Sequence, residues 1–248
     1  MISWNKASLC VAGTALVGYL VWKRISLYAC SGDDAVLVSI GTAIPVELGA
    51  IAADVFRDIV QRMAYPPEIL ATVDKIVSRS GIDTRYTCIS NNPETFVKTV
   101  TAGGRVRAEI WEEWAPKLAI RAAQDALSNW TRGSAQDITH VVVHSCTGFS
   151  APGIDFALIQ NLGLPSTTRK IPIHFAGCFG GFTGLNMAKT IVEADRTGKA
   201  VVLVVCAETC TAHMSGYPCM ELVIGNTIFA DGVYCKYNTM HNVLLYLN

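Results

Sequence analysis

Neither sign of charge is in excess. Twenty lysines and arginines balance twenty aspartates and glutamates over 248 residues, and charged side chains make up only 16% of the chain. That balance argues against a generic nucleic-acid binder, which carries a basic surplus. Glycine and proline, at 20 and 9 residues, are too ordinary for a collagen-like chain, and 51% hydrophobic content is too high for disorder. No repeat with a period of about 20–50 residues is visible, which sets aside solenoids and propellers. Nine cysteines stand at scattered positions, and none pairs in the C-x2-C form of common structural zinc sites. An odd count in a long chain is no disulfide framework, so these read as reduced thiols, with reactivity open to one or more. Cys206, Cys210, His213 and Cys219 lie close in sequence, but their spacing lacks that pair, and no metal site is assigned.

Long apolar runs are also lacking. The most apolar stretch, residues 7–22 (ASLCVAGTALVGYLVW), falls short of the roughly 20 residues of a full membrane span. Lys23 and Arg24 follow it, as at the cytoplasmic end of a signal-anchor helix. Three readings stay open: a short transmembrane anchor, a targeting leader, or a first buried helix. We therefore expect residues 1–30 to form a hydrophobic N-terminal segment, with membrane association or organelle targeting through 7–22 and a cytoplasmic location otherwise. The polar break Ser31-Gly32-Asp33-Asp34 precedes the globular part, which is expected to run from 31 to 232.

Within that part, strand and helix signals alternate. Residues 35–40 (AVLVSI), 140–144 (HVVVH), 171–175 and 200–207 (AVVLVVCA) read as strands, the last apolar on both faces. Residues 48–64, 68–80, 102–129, 154–163 and 182–196 read as helices, with Pro116 interrupting the third. Alternation of this kind predicts an α/β layered sheet. Residues 233–248 fit poorly to what precedes them and read as a divergent tail.

The most informative stretch is Ile171-Pro-Ile-His-Phe-Ala-Gly-Cys-Phe-Gly-Gly-Phe-Thr-Gly. A buried strand runs into a glycine-flanked turn with Cys178 at its apex, and a helix follows. That is the logic of a nucleophile elbow. Unpaired backbone N–H groups at a helix head favour a thiolate there, and a thiolate attacks thioesters well. A buried core cysteine beside close-packing glycines is the bland alternative. His174, four residues earlier, is a tempting base for Cys178, but its place on the strand is equally that of a locally satisfied histidine.

HFAGCFGGFTGLNMAK resembles the nucleophile segment of the type III polyketide synthases, the chalcone/stilbene synthase family of thiolase-fold condensing enzymes. Further blocks resemble the same family in order: Val38-Ser-Ile-Gly-Thr-Ala-Ile-Pro, Ser80-Gly-Ile-Asp-Thr-Arg-Tyr, Thr139–Leu164 with SCTGF-APGIDFALIQNLGL, Val202–Glu208 with LVVCAE, and Phe229-Ala-Asp-Gly. The likeness covers about 35–232. It implies a thiolase-like layered α-β-α fold, of which this chain holds the N-terminal half. It also implies acyl transfer: an acyl group is loaded from coenzyme A onto Cys178 for decarboxylative Claisen condensation with malonyl-CoA. Coenzyme A thioesters are then substrates, with no bound cofactor, and the complete enzyme is a homodimer.

By the same resemblance Lys75 and Arg79 match basic positions on the CoA-binding helix, with Thr72 where a third, lysine, is common. Cys146 and Thr147 match pocket-lining positions. Ala151 stands at a position that carries methionine in the plant enzymes, and Met214 at a gatekeeper position usually held by phenylalanine; together they imply a roomier acyl pocket. The family's histidine and asparagine lie in the C-terminal half. The chain as written is therefore expected to lack complete condensation, to expose a face that is normally buried, and to be poorly soluble. Two alternatives remain: a β-ketoacyl synthase of fatty acid synthesis, against which the APGID and AGCFGG blocks speak, and a catalytically dead fragment that pairs with a full-length relative.

Overall fold

A computed structural model describes residues 35–240. Seven strands and seven α-helices are seen among the described residues. The strands are β1 (Ala35–Ala43), β2 (Ala50–Ala52), β3 (Thr84–Tyr86), β4 (His140–Ser145), β5 (Arg169–His174), β6 (Val201–Thr209) and β7 (Asp231–Met240). The helices are α1 (Ala53–Arg62), α2 (Pro67–Arg79), α3 (Pro93–Thr101), α4 (Gly104–Ser128), α5 (Ile154–Leu162), α6 (Gly180–Ala194) and α7 (Met220–Ile228).

Five strands form one sheet in the order β1-β7-β6-β4-β5. β4 runs parallel to both β5 and β6, while β7 is antiparallel to β6 and β1. Side chains alternate across a strand, and here the parity sorts the two faces. Val141, Val143, Leu203, Val205 and Ala207 pack with the alanine-rich flank of α4 and with Leu158 of α5. Val142, Val202 and Val204 face the other way, onto Ala188 and Val192 of α6. Helix, sheet and helix are thus stacked in the expected layers, and strands buried on both faces read as unbroken valine runs. A second apolar cluster joins α1, α2, α3 and α7, with Phe56, Ile69, Val73, Phe96 and Val223 at its centre.

Some sequence boundaries move. The helix expected over 48–64 begins only at Ala53, because Ala50–Ala52 pairs antiparallel with Thr84–Tyr86. The stretch 102–129 is a helix from Gly104 to Ser128 that runs through Pro116, and a separate helix, α3, precedes it, capped by the Asn92 side chain accepting from Thr95 N–H at 3.0 Å. The boundary expected at 232/233 falls inside a strand. β7 runs across it to Met240 between β1 and β6, and its Val233 and Cys235 are buried in the main core. β7 starts at Asp231, whose buried carboxylate accepts the Thr211 N–H (2.7 Å), the Thr211 hydroxyl and the Cys88 N–H (2.5 Å). Burial raises the Asp231 carboxyl above its ordinary range, against those hydrogen bonds.

The expectation of a transmembrane helix is corrected: among the described residues no helix is long and apolar enough to cross a membrane. Residues 7–22, where that span was placed, lie outside the described residues, as do 241–248 of the expected tail.

The turn between α6 and β6 is tied by one carboxylate. Asp195 accepts from the Thr197 hydroxyl (2.8 Å) and from the N–H groups of Thr197 (3.0 Å), Lys199 (2.9 Å) and Ala200 (2.6 Å). The Thr197 hydroxyl and these N–H groups hold its carboxyl down at about 2, from an ordinary 3.8. A depressed folded value stabilises the fold above the unfolded value and loses that contribution as pH falls through the folded one. Asp195→Asn is therefore expected to melt below the parent at neutral pH, and the gap should close as pH falls from about 4 towards about 2. Thermal melts across that window check it; a gap independent of pH refutes it.

Candidate active site

β5 delivers the chain to its C-terminal edge at His174. Phe175 follows with φ +56° and Gly177 with φ +67°. The left-handed region is rare for a residue with a side chain and costs on the order of 1–3 kcal/mol. The strain lies where strand reverses into helix, and Phe175 N–H is pinned there to the Ser145 carbonyl at 3.1 Å. Gly177–Phe179 forms a single 3-10 turn that passes directly into α6 at Gly180. Cys178 lies in this turn, exposed. Strand, strained turn and helix thus appear in the predicted order, but the strand expected to be buried is β5 at the edge of the sheet, with no buried residue among Arg169–His174.

The other thiols are less accessible. Among the described residues every cysteine except Cys178 is buried or half-buried. Burial, and then the Asp231 charge, pushes the Cys210 thiol up to about 12. Burial likewise drives Cys88 and Cys235 far above the ordinary thiol range. These three are packing residues.

His174 does not serve Cys178 in any described contact. Its ring is exposed and lies 6.3 Å from those of Phe149 and Phe175. The histidine beneath the turn is His144, at the end of β4 and buried. Its face is so close to α6 that a Cβ on Gly180 would sit 2.0 Å from His144 Cε1. Its Nδ1 meets the Ile173 carbonyl at 3.2 Å, and its Nε2 lies 3.6 Å from Cys146 Sγ and 3.4 Å from Glu208 Oε1. Glu208 in turn accepts the Cys146 N–H through both oxygens, at 2.9 and 3.2 Å. Burial and the Glu208 charge raise the Cys146 thiol, while a hydrogen bond from the Gly177 backbone acts the other way.

His144 and Glu208 were not singled out by the sequence reading, though a signal existed. Val142, His144 and Cys146 share one parity on β4 and the loop beyond it. Val204, Cys206 and Glu208 share the matching parity on β6, and the register sets His144 opposite Cys206. Both runs end at the carboxyl edge of parallel strands, where α/β sheets bind ligands.

Thr147 lines two cavities near the turn. One, of 330 Å³, is walled by Arg107, Trp111, Phe149, Phe175 and His213. The other, of 210 Å³, is walled by Cys210, His213, Met214, Glu221 and Phe229. Thr147 and Met214 thus meet in one cavity, and Met214 is buried as a member of the second apolar cluster. Ala151 is exposed on the loop before α5 and lines neither cavity. Four phenylalanines, 149, 175, 179 and 182, are each more than 60% exposed around the Cys178 turn. A further cavity, of 570 Å³, lies at the opposite edge of the sheet by Thr139 and Asp195, away from this chemistry.

Lys75 and Arg79 share the exposed face of α2, one turn apart. Asp74 beside them is taken by Arg57 at 2.8 Å, and among the described residues no carboxylate pairs with either cation. Thr72 is half-buried and donates to the Glu68 carbonyl. Of the earlier zinc candidates, His213 Nε2 contacts the Thr147 carbonyl and Cys219 Sγ points to Glu221. Cys206 lies against Gly181, so the four do not converge.

The sequence profile of the N-terminal domain of chalcone and stilbene synthases matches residues 23–236. The chain belongs to the chalcone and stilbene synthase family. Bisdemethoxycurcumin synthase of Oryza sativa subsp. japonica is 33% identical over 208 residues, which is 80% of this chain and 50% of that protein. Probable polyketide synthase 1 of Dictyostelium discoideum is 29% identical over 209 residues, 82% of this chain and 6% of that protein. The crystal structure of the C-terminal type III polyketide synthase domain of Steely1, a type I/III hybrid from Dictyostelium, superposes with a TM-score of 0.74. It is 27% identical, over 85% of this chain and 58% of that one. The layered fold of this chain is therefore the thiolase-like one of that family. The chain spans about half the length of the rice relative. The family match sets aside the fatty-acid β-ketoacyl synthase alternative.

Proposed function

We propose that this chain carries the acyl-loading half of a type III polyketide synthase. The observation that carries the proposal is the placement of Cys178: an exposed thiol at the head of α6, in a strained turn, while the other described cysteines are buried or half-buried. In the loading step the Cys178 thiolate attacks the carbonyl carbon of an acyl-CoA thioester. The carbon–sulfur bond to coenzyme A breaks, a new one to Sγ forms, and coenzyme A leaves as its thiolate and takes up a proton. The exposed phenylalanines offer an apolar setting for the acyl chain. Lys75 and Arg79, which no carboxylate pairs among the described residues, suit the phosphates of coenzyme A. Malonyl-CoA is the extender this reading implies. Decarboxylation and Claisen condensation belong to the whole enzyme, with a homodimer as its working form.

The test is intact-mass analysis of the full chain after incubation with an acyl-CoA. A single acyl adduct is expected, absent from Cys178→Ala. An adduct retained in that variant, or none on folded parent protein, overturns the proposal. A second reading, an inactive chain that pairs with a full-length relative, is favoured by the exposed Phe149, Phe175, Phe179 and Phe182. Co-purification of the two chains without any adduct on Cys178 would select it.

A further inference from the structure

Three ligand atoms converge beneath the Cys178 turn in a way that neither acyl loading nor packing uses. They are His144 Nε2, Cys146 Sγ and a Glu208 carboxylate oxygen, all within 4.8 Å of one another, the only such group of three among the described residues. We propose that they form a tetrahedral site for a thiophilic divalent cation of the zinc class, with a fourth position open.

The distances carry the argument. With ordinary zinc bond lengths of about 2.0–2.1 Å to nitrogen and oxygen and about 2.3 Å to sulfur, tetrahedral angles put N and S about 3.6 Å apart and N and O about 3.4 Å apart. The structure has 3.6 Å from Nε2 to Sγ and 3.4 Å from Nε2 to Oε1. A direct hydrogen bond between Nε2 and the carboxylate would be shorter, near 2.8 Å as charge-assisted pairs are, roughly speaking.

The supporting contacts agree. A carbonyl only accepts, so the contact with Ile173 O places a proton on Nδ1 of His144. In the neutral ring, Nε2 then turns a lone pair towards the carboxylate and the sulfur, the orientation that a metal-bound histidine is given by its outer partner. Glu208 is held in place by the Cys146 N–H. A Cys–His–Glu catalytic triad would use both ring nitrogens, one for the thiol and one for the carboxylate. Here both partners crowd a single nitrogen, which is the arrangement of ligands around a common centre. Binding releases one proton, from the Cys146 thiol. The cation would pin the ends of β4 and β6 together under the head of α6.

The experiment uses the full chain, stripped with a chelator and then titrated with Co²⁺ and Zn²⁺. About one equivalent of Co²⁺ is expected, with a thiolate-to-cobalt charge-transfer band and the intense visible absorption of a tetrahedral ion, both abolished by one equivalent of Zn²⁺. Cys146→Ser should lose the charge-transfer band and weaken Zn²⁺ binding about 100-fold or more; Glu208→Gln should keep the band but weaken binding about 10-fold or more. Cys178→Ser should leave spectrum and affinity unchanged. Circular dichroism of each stripped variant separates lost binding from lost fold, and Glu208→Gln carries the test if Cys146→Ser does not fold. The proposal is overturned if folded parent protein binds no stoichiometric Co²⁺. It is overturned equally if the band survives Cys146→Ser or vanishes in Cys178→Ser.

Discussion

Replacing Gly180 with alanine should destabilise the chain by about 2–3 kcal/mol and slow adduct formation at Cys178 at least tenfold or thereabouts. The methyl group would have to occupy space 2.0 Å from His144 Cε1 and 2.2 Å from Nδ1. Neither side can yield cheaply. The imidazole is held by the Ile173 carbonyl on one edge and lies against Cys146 and Glu208 on the other. Helix α6 cannot slide, because at Gly184 a Cβ would already be 3.1 Å from Val204, and Ala188 and Val192 below it are fully buried. The remaining movement is a lift of the helix head, which carries Cys178 out of its turn. Urea denaturation reads the first effect and the rate of acyl labelling the second. A double variant, His144→Ala with Gly180→Ala, separates steric from backbone causes. The ring being gone, the two changes together should cost about 1–2 kcal/mol less than their sum. Strict additivity, or a Gly180→Ala protein that unfolds with the parent, would refute the close contact.

The position of the nucleophile was legible in the sequence because its determinants are local. A strand, a glycine on each side of the cysteine and an apolar helix pattern all lie within residues 171–194. The buried strands β4 and β6 were legible for the same reason, as valine runs. What surrounds Cys178 was not, because it is assembled across the sheet. His144 and Glu208 are 64 positions apart and meet only through the parallel register of β4 with β6. His174, near in sequence, drew attention that belonged to His144, since a strand residue adjacent to a turn need not point into it. Residues 82–89 read as extended, and β3 lies there, but β2 was missed because it has only three residues and its partner is some thirty positions away. α7 escaped because MELVIGNTI carries a glycine and β-branched residues, which lower helix propensity. Its place is set by packing of Val223 against α2 and its neighbours.

Gly41 makes the same point from the opposite side, and it carries the largest stability effect expected outside the site. In the sequence it reads as the end of a strand and the start of a turn. In the fold it lies inside β1, which continues to Ala43. Its glycine is required by approach and not by a turn: a Cβ there would meet Ala122 O and Ala126 N of α4 at 2.2 Å each, and Ala126 Cα at 2.8 Å. These are backbone atoms of a helix whose inner face, Ala119, Ala122, Ala123 and Ala126, is wholly buried. The helix is also stitched to the strand. The Ser39 hydroxyl donates to Ala126 O at 2.6 Å, and Thr42 N–H donates to Asp125 Oδ2 at 2.9 Å. Gly41→Ala must force α4 off β1 or bend the strand, at about 3 kcal/mol for overpacking and about 1 kcal/mol for each hydrogen bond loosened. Against a typical domain stability of about 5–15 kcal/mol, that is enough to leave a large unfolded fraction on mild heating. Gly104→Ala is the matched control. Gly104 opens α4, its φ is ordinary, and its nearest neighbour to an added Cβ is the Arg107 guanidinium at 3.8 Å. That change should be neutral or stabilise by about 0.5–1 kcal/mol, since alanine loses less freedom than glycine on entering a helix. Urea midpoints for the two variants should therefore move in opposite directions or one not at all. If both fell equally, the loss would come from altering the ends of α4 in general, and the contact between β1 and the alanine face would not be what holds this layer against the sheet.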